Sequence, residues 1–64
     1  MEVIYKSFLI KTKKNNSGWS LYIYNGNTLI LSQDHDDNYT EEQVAGFGLS
    51  FVDIFDISVK KDKK

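Results

Sequence analysis

Residues 2–12, Glu-Val-Ile-Tyr-Lys-Ser-Phe-Leu-Ile-Lys-Thr, are rich in β-branched and aromatic types and predict a first strand. Lys13 to Gly18 is a polar cluster containing Asn15, Asn16 and Ser17, and predicts a turn. Trp19 to Tyr24 alternates apolar and polar positions and predicts a second strand. Asn25-Gly26 is a strong hairpin signal, and Thr28 to Ser32 then forms a third strand. Gln33 to Tyr39 follows as an acidic loop.

Side chains in a strand alternate between two faces, so the hairpin register decides which of them meet. A two-residue loop at Asn25-Gly26 would pair Ile23 with Thr28 and set Leu29 and Leu31 apart from Trp19, Leu21 and Ile23. A three-residue loop, Tyr24-Asn25-Gly26 with Gly26 left-handed, pairs Ile23 with Asn27 and Leu21 with Leu29. Trp19, Leu21, Ile23, Leu29 and Leu31 then share one face, and this is the expected register, with a glycine bulge. If Ile4, Phe8 and Ile10 join that face, Tyr5, Leu9, Tyr22 and Ile30 fall on the other. An antiparallel sheet facing water there should be polar, and this face is half apolar. These four residues are therefore the expected interface of a homodimer.

Thr40-Glu41-Glu42-Gln43 is a capping-box pattern, with two acids placed to complement the helix dipole, so a helix starts at Glu41. Gly46 and Gly48 each cost about 1 kcal/mol inside a helix. The stretch from Ser50 to Val59 is rich in strand-forming residues. The expectation is a short helix over 41–48 and a fourth strand over 50–59. The competing reading is one helix over 41–56, because Val44, Phe47, Phe51 and Phe55 also fit helical spacing. The expected fold is α+β: a small antiparallel β-meander of three strands, with a fourth C-terminal strand, packed on one short helix. It forms a single domain over 1–59, followed by a disordered Lys-rich tail over 60–64.

Composition narrows the classes. At 41% hydrophobic and 14% aromatic, the chain is apolar enough to fold. At 64 residues it buries only roughly 60% of the surface its unfolded form exposes, which leaves a marginal core. It has no cysteine, hence no disulfide, thiolate metal site or thiol nucleophile. No apolar run approaches the ~20 residues of a membrane helix, and no signal-peptide core is visible. A soluble, cytoplasmic domain without membrane contact is expected.

The net charge of −1 hides a segregation. Residues 1–14 carry four Lys and one Glu (+3), residues 15–59 carry seven acids and no Lys (−7), and residues 60–64 carry four Lys and one Asp (+3). Arginine, the residue suited to bidentate phosphate and guanine recognition, is absent. His35 is the only histidine and reads as an exposed loop residue among acids. Asp34, Asp36, Asn38 and Thr40 alternate as calcium ligands do. Yet Tyr39 stands where such a loop needs Gly, and Ala45 where it needs Glu. No metal, cofactor or enzymatic activity is expected.

Two binding readings remain. In the first, Asp34, Asp36, Asp37, Glu41 and Glu42 dock on a basic surface of a protein partner, as in a small inhibitor or regulator. The Asn- and Lys-rich, Arg-free composition suits a phage or mobile-element protein. In the second, Lys6, Lys11, Lys13 and Lys14 bind a single-stranded nucleic-acid backbone while Tyr22 and Tyr24 stack on bases. A meander followed by a helix also resembles the arm-site DNA-binding domains of integrases. Those carry basic strands, whereas Trp19–Tyr24 and Thr28–Ser32 hold no charge, so no function is carried over.

Overall fold

The structure is a computed structural model that describes residues 1–62, with side chains described through residue 58. Four strands, β1 (Glu2–Tyr5), β2 (Phe8–Lys14), β3 (Gly18–Asn25) and β4 (Thr28–Asp36), precede one helix, α1 (Glu41–Asp62). The strands pair in sequence order as an antiparallel meander. The α+β meander and its four strands match the sequence expectation; the fourth strand lies elsewhere. The tail expected over 60–64 falls outside the residues described in full.

The fourth strand comes from the N-terminal segment. Residues 2–12 do not run as one strand, because the chain reverses at Lys6-Ser7, between the paired residues Tyr5 and Phe8. Both turn residues are left-handed, with φ of 51° and 70°. A two-residue hairpin turn with positive φ at both central positions usually takes Asn or Gly there. Lys and Ser give no such signal, so the turn is invisible in the sequence.

The β3–β4 hairpin differs from its expected register. Asn25 pairs with Thr28, so the loop is Gly26-Asn27, with Gly26 at φ 62°. The irregularity lies further along: Tyr24 pairs with Leu29 but Ile23 pairs with Leu31, leaving Ile30 as the extra residue of a bulge. The tight loop alone would leave Leu31 on the face of Tyr22. The bulge shifts the phase, and the consecutive residues Ile30 and Leu31 both pack against the core.

α1 lies over β2 and β3. Phe8, Ile10, Leu21, Ile23, Val44 and Val52 form the buried cluster. The strand expected over 50–59 does not form, and the helix passes through both glycines. Strand propensity loses here because helical spacing brings Val44, Val52 and Phe55 onto the sheet, and helix stability in proteins comes mainly from such packing. Phe55 meets Phe8 edge-on at 5.7 Å. Gly48 has a positive role: a Cβ there would sit 2.8 Å from Ile10 Cγ2 and 3.1 Å from Leu21 Cδ1. Its missing side chain lets the helix settle on these two residues. Gly46 has nothing within 4 Å of the same position.

The two helical glycines therefore predict opposite outcomes. Gly46→Ala raises stability by about 1 kcal/mol through propensity alone. Gly48→Ala lowers it by about 1 kcal/mol, since overpacking costs ~1–3 kcal/mol and the same propensity gain offsets part. Urea denaturation midpoints of the two variants check this. At the β1–β2 turn, Ser7→Gly removes the left-handed penalty of ~1–2 kcal/mol, and the greater freedom of unfolded glycine offsets about half. A net gain of about 0.5–1 kcal/mol is expected in the same assay.

Candidate functional site

Strand register assigns side chains to the two sheet faces. With Ile10, Leu21 and Ile23 under α1, the alternate residues lie on the opposite, uncovered face. One row on that face crosses all four strands: Ile4, Leu9, Tyr24 and Leu29 are successive register partners. Ile4 is 78% exposed and Leu29 47%. The next row reads Glu2, Lys11, Tyr22 and Ser32, and the third Lys13, Ser20 and Asp34. Lys11 Nζ approaches Glu2 Oε2 at 3.7 Å. The face thus has an apolar end at the hairpins and a polar end towards the β2–β3 loop.

Of the expected dimer-interface residues, Leu9 and Tyr22 lie on this face. Tyr5 and Ile30 instead pack against the core. The Lys6-Ser7 turn reverses the phase of β1, so Tyr5 goes inward and Ile4, expected inside, goes outward. The bulge does the same for Ile30. Of the lysines considered for nucleic acid, Lys11 and Lys13 share the uncovered face with Tyr22 and Tyr24. Lys14 is in register with Trp19 on the helix side, its ammonium 5.2 Å from the indole centroid. Lys6 Nζ is 2.8 Å from Asp53 Oδ1.

The polar end holds a solvent-open hollow of about 410 Å³ lined by Asn15, Asn16, Ser17, Ser20 and Asp34. Asn15 builds its rim. Its Oδ1 accepts from the Ser17 and Gly18 amides at 2.8 and 2.7 Å, an Asx-type turn that folds the loop over β3. Its Nδ2 donates to Ser20 Oγ at 2.7 Å, and Ser20 Oγ donates to Asp34 Oδ1 at 2.7 Å. Ser20 is only 4% exposed.

The five acids expected to form one docking surface are spread over several places. Asp34 stands at the hollow, on a β4 that runs on through Asp36 where a loop was expected. Asp36 Oδ1 accepts from the Asn38 amide at 3.0 Å. Glu41 Oε2 turns to β2, accepting from Thr12 Oγ1 at 2.7 Å and lying 3.0 Å from the terminal ammonium. The Thr12 hydrogen bond, then the ammonium, hold its carboxyl below the usual range. Asp37 and Glu42 are exposed. The capping box forms as expected: Thr40 N donates to Gln43 Oε1 at 2.9 Å and Gln43 N to Thr40 Oγ1 at 3.1 Å.

His35 is not the exposed loop residue the sequence suggested. Being part of β4 and in register with Trp19, it faces the helix side, half-buried, with Phe47 and Tyr39 at ring distances of 5.3 and 5.6 Å. Its Nε2 is buried with no hydrogen-bond partner among the described residues. Among the described residues no group of three or more His, Cys, Asp or Glu could hold a metal ion, and no helix is long and apolar enough to cross a membrane.

One cluster escaped sequence reasoning. Asp53 Oδ1 accepts from Tyr5 Oη at 2.8 Å besides pairing with Lys6, and so ties α1 to the β1–β2 turn. The partners are 48 residues apart, and the helix was expected to end before Asp53. The helical phase of a longer helix was the only signal that could have found it. Hydrogen bonds from Lys6 and Tyr5 hold the Asp53 carboxyl below its ordinary value, and the same contacts raise the Tyr5 phenol and Lys6 ammonium. Comparison with family models, curated proteins and solved structures gives no match to this chain.

The carboxyl shifts set an acid-side prediction. A carboxyl depressed on folding stabilises the fold above its unfolded pKa of about 4 and loses that contribution as pH falls through its folded value. Melting temperature should fall as pH drops from about 5 towards 2. In Asp53→Asn the fall should be shallower, because Lys6 and Tyr5 no longer distinguish the protonated from the ionised form. Thermal melts across that range read the difference.

Proposed function

We propose that this chain is a small non-catalytic protein-binding module that docks through the sheet face turned away from α1. The observation that carries this reading is the apolar row Ile4, Leu9, Tyr24 and Leu29 across all four strands of an uncovered sheet. Water-facing antiparallel sheet is ordinarily polar, and an apolar centre rimmed by charged residues is the usual anatomy of an interface. Glu2, Lys11, Lys13 and Asp34 supply charge on one side of the row, towards the β2–β3 loop. Such a module would act by covering a surface of its partner, as an inhibitor or regulator does, and a phage or mobile-element cytoplasmic setting fits the composition. A second copy of the chain could be bound through the same row.

The nucleic-acid reading keeps one specific support, the common face of Lys11, Lys13, Tyr22 and Tyr24. Against it, Glu2 and Asp34 on that face balance the two lysines, whereas backbone binding draws on uncompensated positive charge.

The double variant Ile4→Lys/Leu29→Lys tests the docking face. Both side chains are exposed, so stability should change by no more than about 0.5 kcal/mol per site. Proteins captured from a lysate of the native host by the parent chain should be lost with the variant. If self-association is the function, a concentration-dependent rise in sedimentation coefficient should vanish instead. Capture and sedimentation both unchanged in the variant would overturn the docking face. Salt-dependent binding of a single-stranded oligonucleotide, with a slope near −0.7 per phosphate contact, would transfer the function to the second reading.

A further inference from the structure

We propose that the hollow beside Ser20 is a receptor for the guanidinium of an arginine carried by the docking protein. The inference rests on the docking reading and names the partner's anchoring side chain. The hollow opens on the same sheet face as the apolar row, because Ser20 and Asp34 are register partners on that face. A protein seated on the row that also extends along β3 by the four residues from Tyr24 to Ser20 reaches it. At about 410 Å³ it has room for a whole side chain.

The hydrogen-bond arrangement defines the ligand. Asn15 Oδ1 is occupied by two loop amides, and Asn15 Nδ2 is directed to Ser20. The Ser20 proton goes to Asp34 Oδ1. The Ser20 proton and one of the two Asn15 Nδ2 hydrogens are thus used internally, and the second oxygen of the Asp34 carboxylate remains to accept. No cation lies within 4 Å of that carboxylate among the described residues. A fixed carboxylate without a counter-ion rejects anions and selects a cation. Its orientation is held by Ser20, itself nearly buried and fixed by Asn15, so little ordering cost remains at binding.

Among protein cations the site favours guanidinium over ammonium. A planar fork of donors can engage the carboxylate and, at the same time, the amide and hydroxyl oxygens of Asn16 and Ser17 on the wall. An ammonium is compact and strongly hydrated, and gives up more water to enter. This chain contains no arginine at all. Neither its own segments nor a second copy can supply the ligand, so the occupant belongs to a different protein. Lys13, the register partner of Ser20 on the other side, is the internal competitor.

The test is an NMR titration of the full chain with N-acetyl-arginine amide at low ionic strength. Saturable shifts are expected for the amides of residues 15–20 and 33–36, with a dissociation constant in the range of about 1–10 mM, typical of a single side chain. N-acetyl-citrulline amide, the same shape without charge, should leave those amides unmoved. N-acetyl-lysine amide should bind several-fold more weakly. Asp34→Asn keeps the acceptor for Ser20 and should weaken arginine binding at least about tenfold, while Asp37→Asn, an exposed acid away from the hollow, should leave it unchanged. Absent shifts, equal shifts with citrulline, or equal loss in Asp34→Asn and Asp37→Asn overturn the receptor. Equal or tighter binding of the lysine analogue overturns the choice of arginine. Failure of the docking reading is separable. If arginine does not bind yet the Ile4→Lys/Leu29→Lys variant still loses capture, only the receptor falls. If arginine binds but capture survives that variant, the docking face is wrong and the hollow stands as a cation site.

Discussion

Everything in this molecule depends on how closely one helix can approach one side of a four-stranded sheet. The contact is set at Gly48, where the absence of a side chain lets α1 rest on Ile10 and Leu21. Val44 and Val52, one turn on either side, are then wholly buried. Among the described residues the one helix covers one face, and no second layer lies on the other. The sheet is therefore two-sided in a chemical sense: one side becomes a core, and the other must meet water or another molecule. The hairpin turn and the bulge decide which residues go to which side.

Two local irregularities make that decision. The left-handed Lys6-Ser7 pair sends Tyr5 inward, where its hydroxyl reaches Asp53, and sends Ile4 outward. The bulge at Ile30 brings two consecutive apolar residues of β4 to the core side, and leaves Leu29 opposite Tyr24 on the uncovered side. Polar interactions then hold the ends. Asp53 fastens the helix to one edge of the sheet, and Glu41 with Thr12 fastens its start to β2.

Much of this was legible in the residues. Alternation in Trp19–Tyr24 and the capping box at Thr40–Gln43 carry strong local signals and form as read, while the turn expected over 13–18 narrows to residues 15–17, with Lys13 and Lys14 in β2 and Gly18 in β3. What failed depended on contacts distant in sequence. Gly48 looks like a helix breaker until the approach of Ile10 is known. Ser50 to Val59 looks like strand because β-branched residues and phenylalanines also suit a helix that has a sheet to bury them. The Lys6-Ser7 turn carries none of the usual residues, so nothing local marks it. Of the residues singled out from the sequence, Leu9, Lys11, Lys13, Tyr22, Tyr24 and Asp34 share the uncovered face, while Ile4 and Tyr5 were exchanged by a single turn. Ser20 was passed over, because a serine in an alternating strand shows no sign of its partners on either side.

β4 forms one margin of the sheet, nine residues long, with no strand beyond it among the described residues. A long open margin is a template on which a further strand, from this chain or another, can add and continue into a fibre. The bulge at Ile30 bends the first part of that margin out of the plane a new strand would follow. Over the second part, any strand laid alongside would come against the carboxylates of Asp34 and Asp36. At the other margin β1 offers only four residues. The same kink and charges that arrange the core and the hollow thus also make the margins of the sheet poor templates for a further strand.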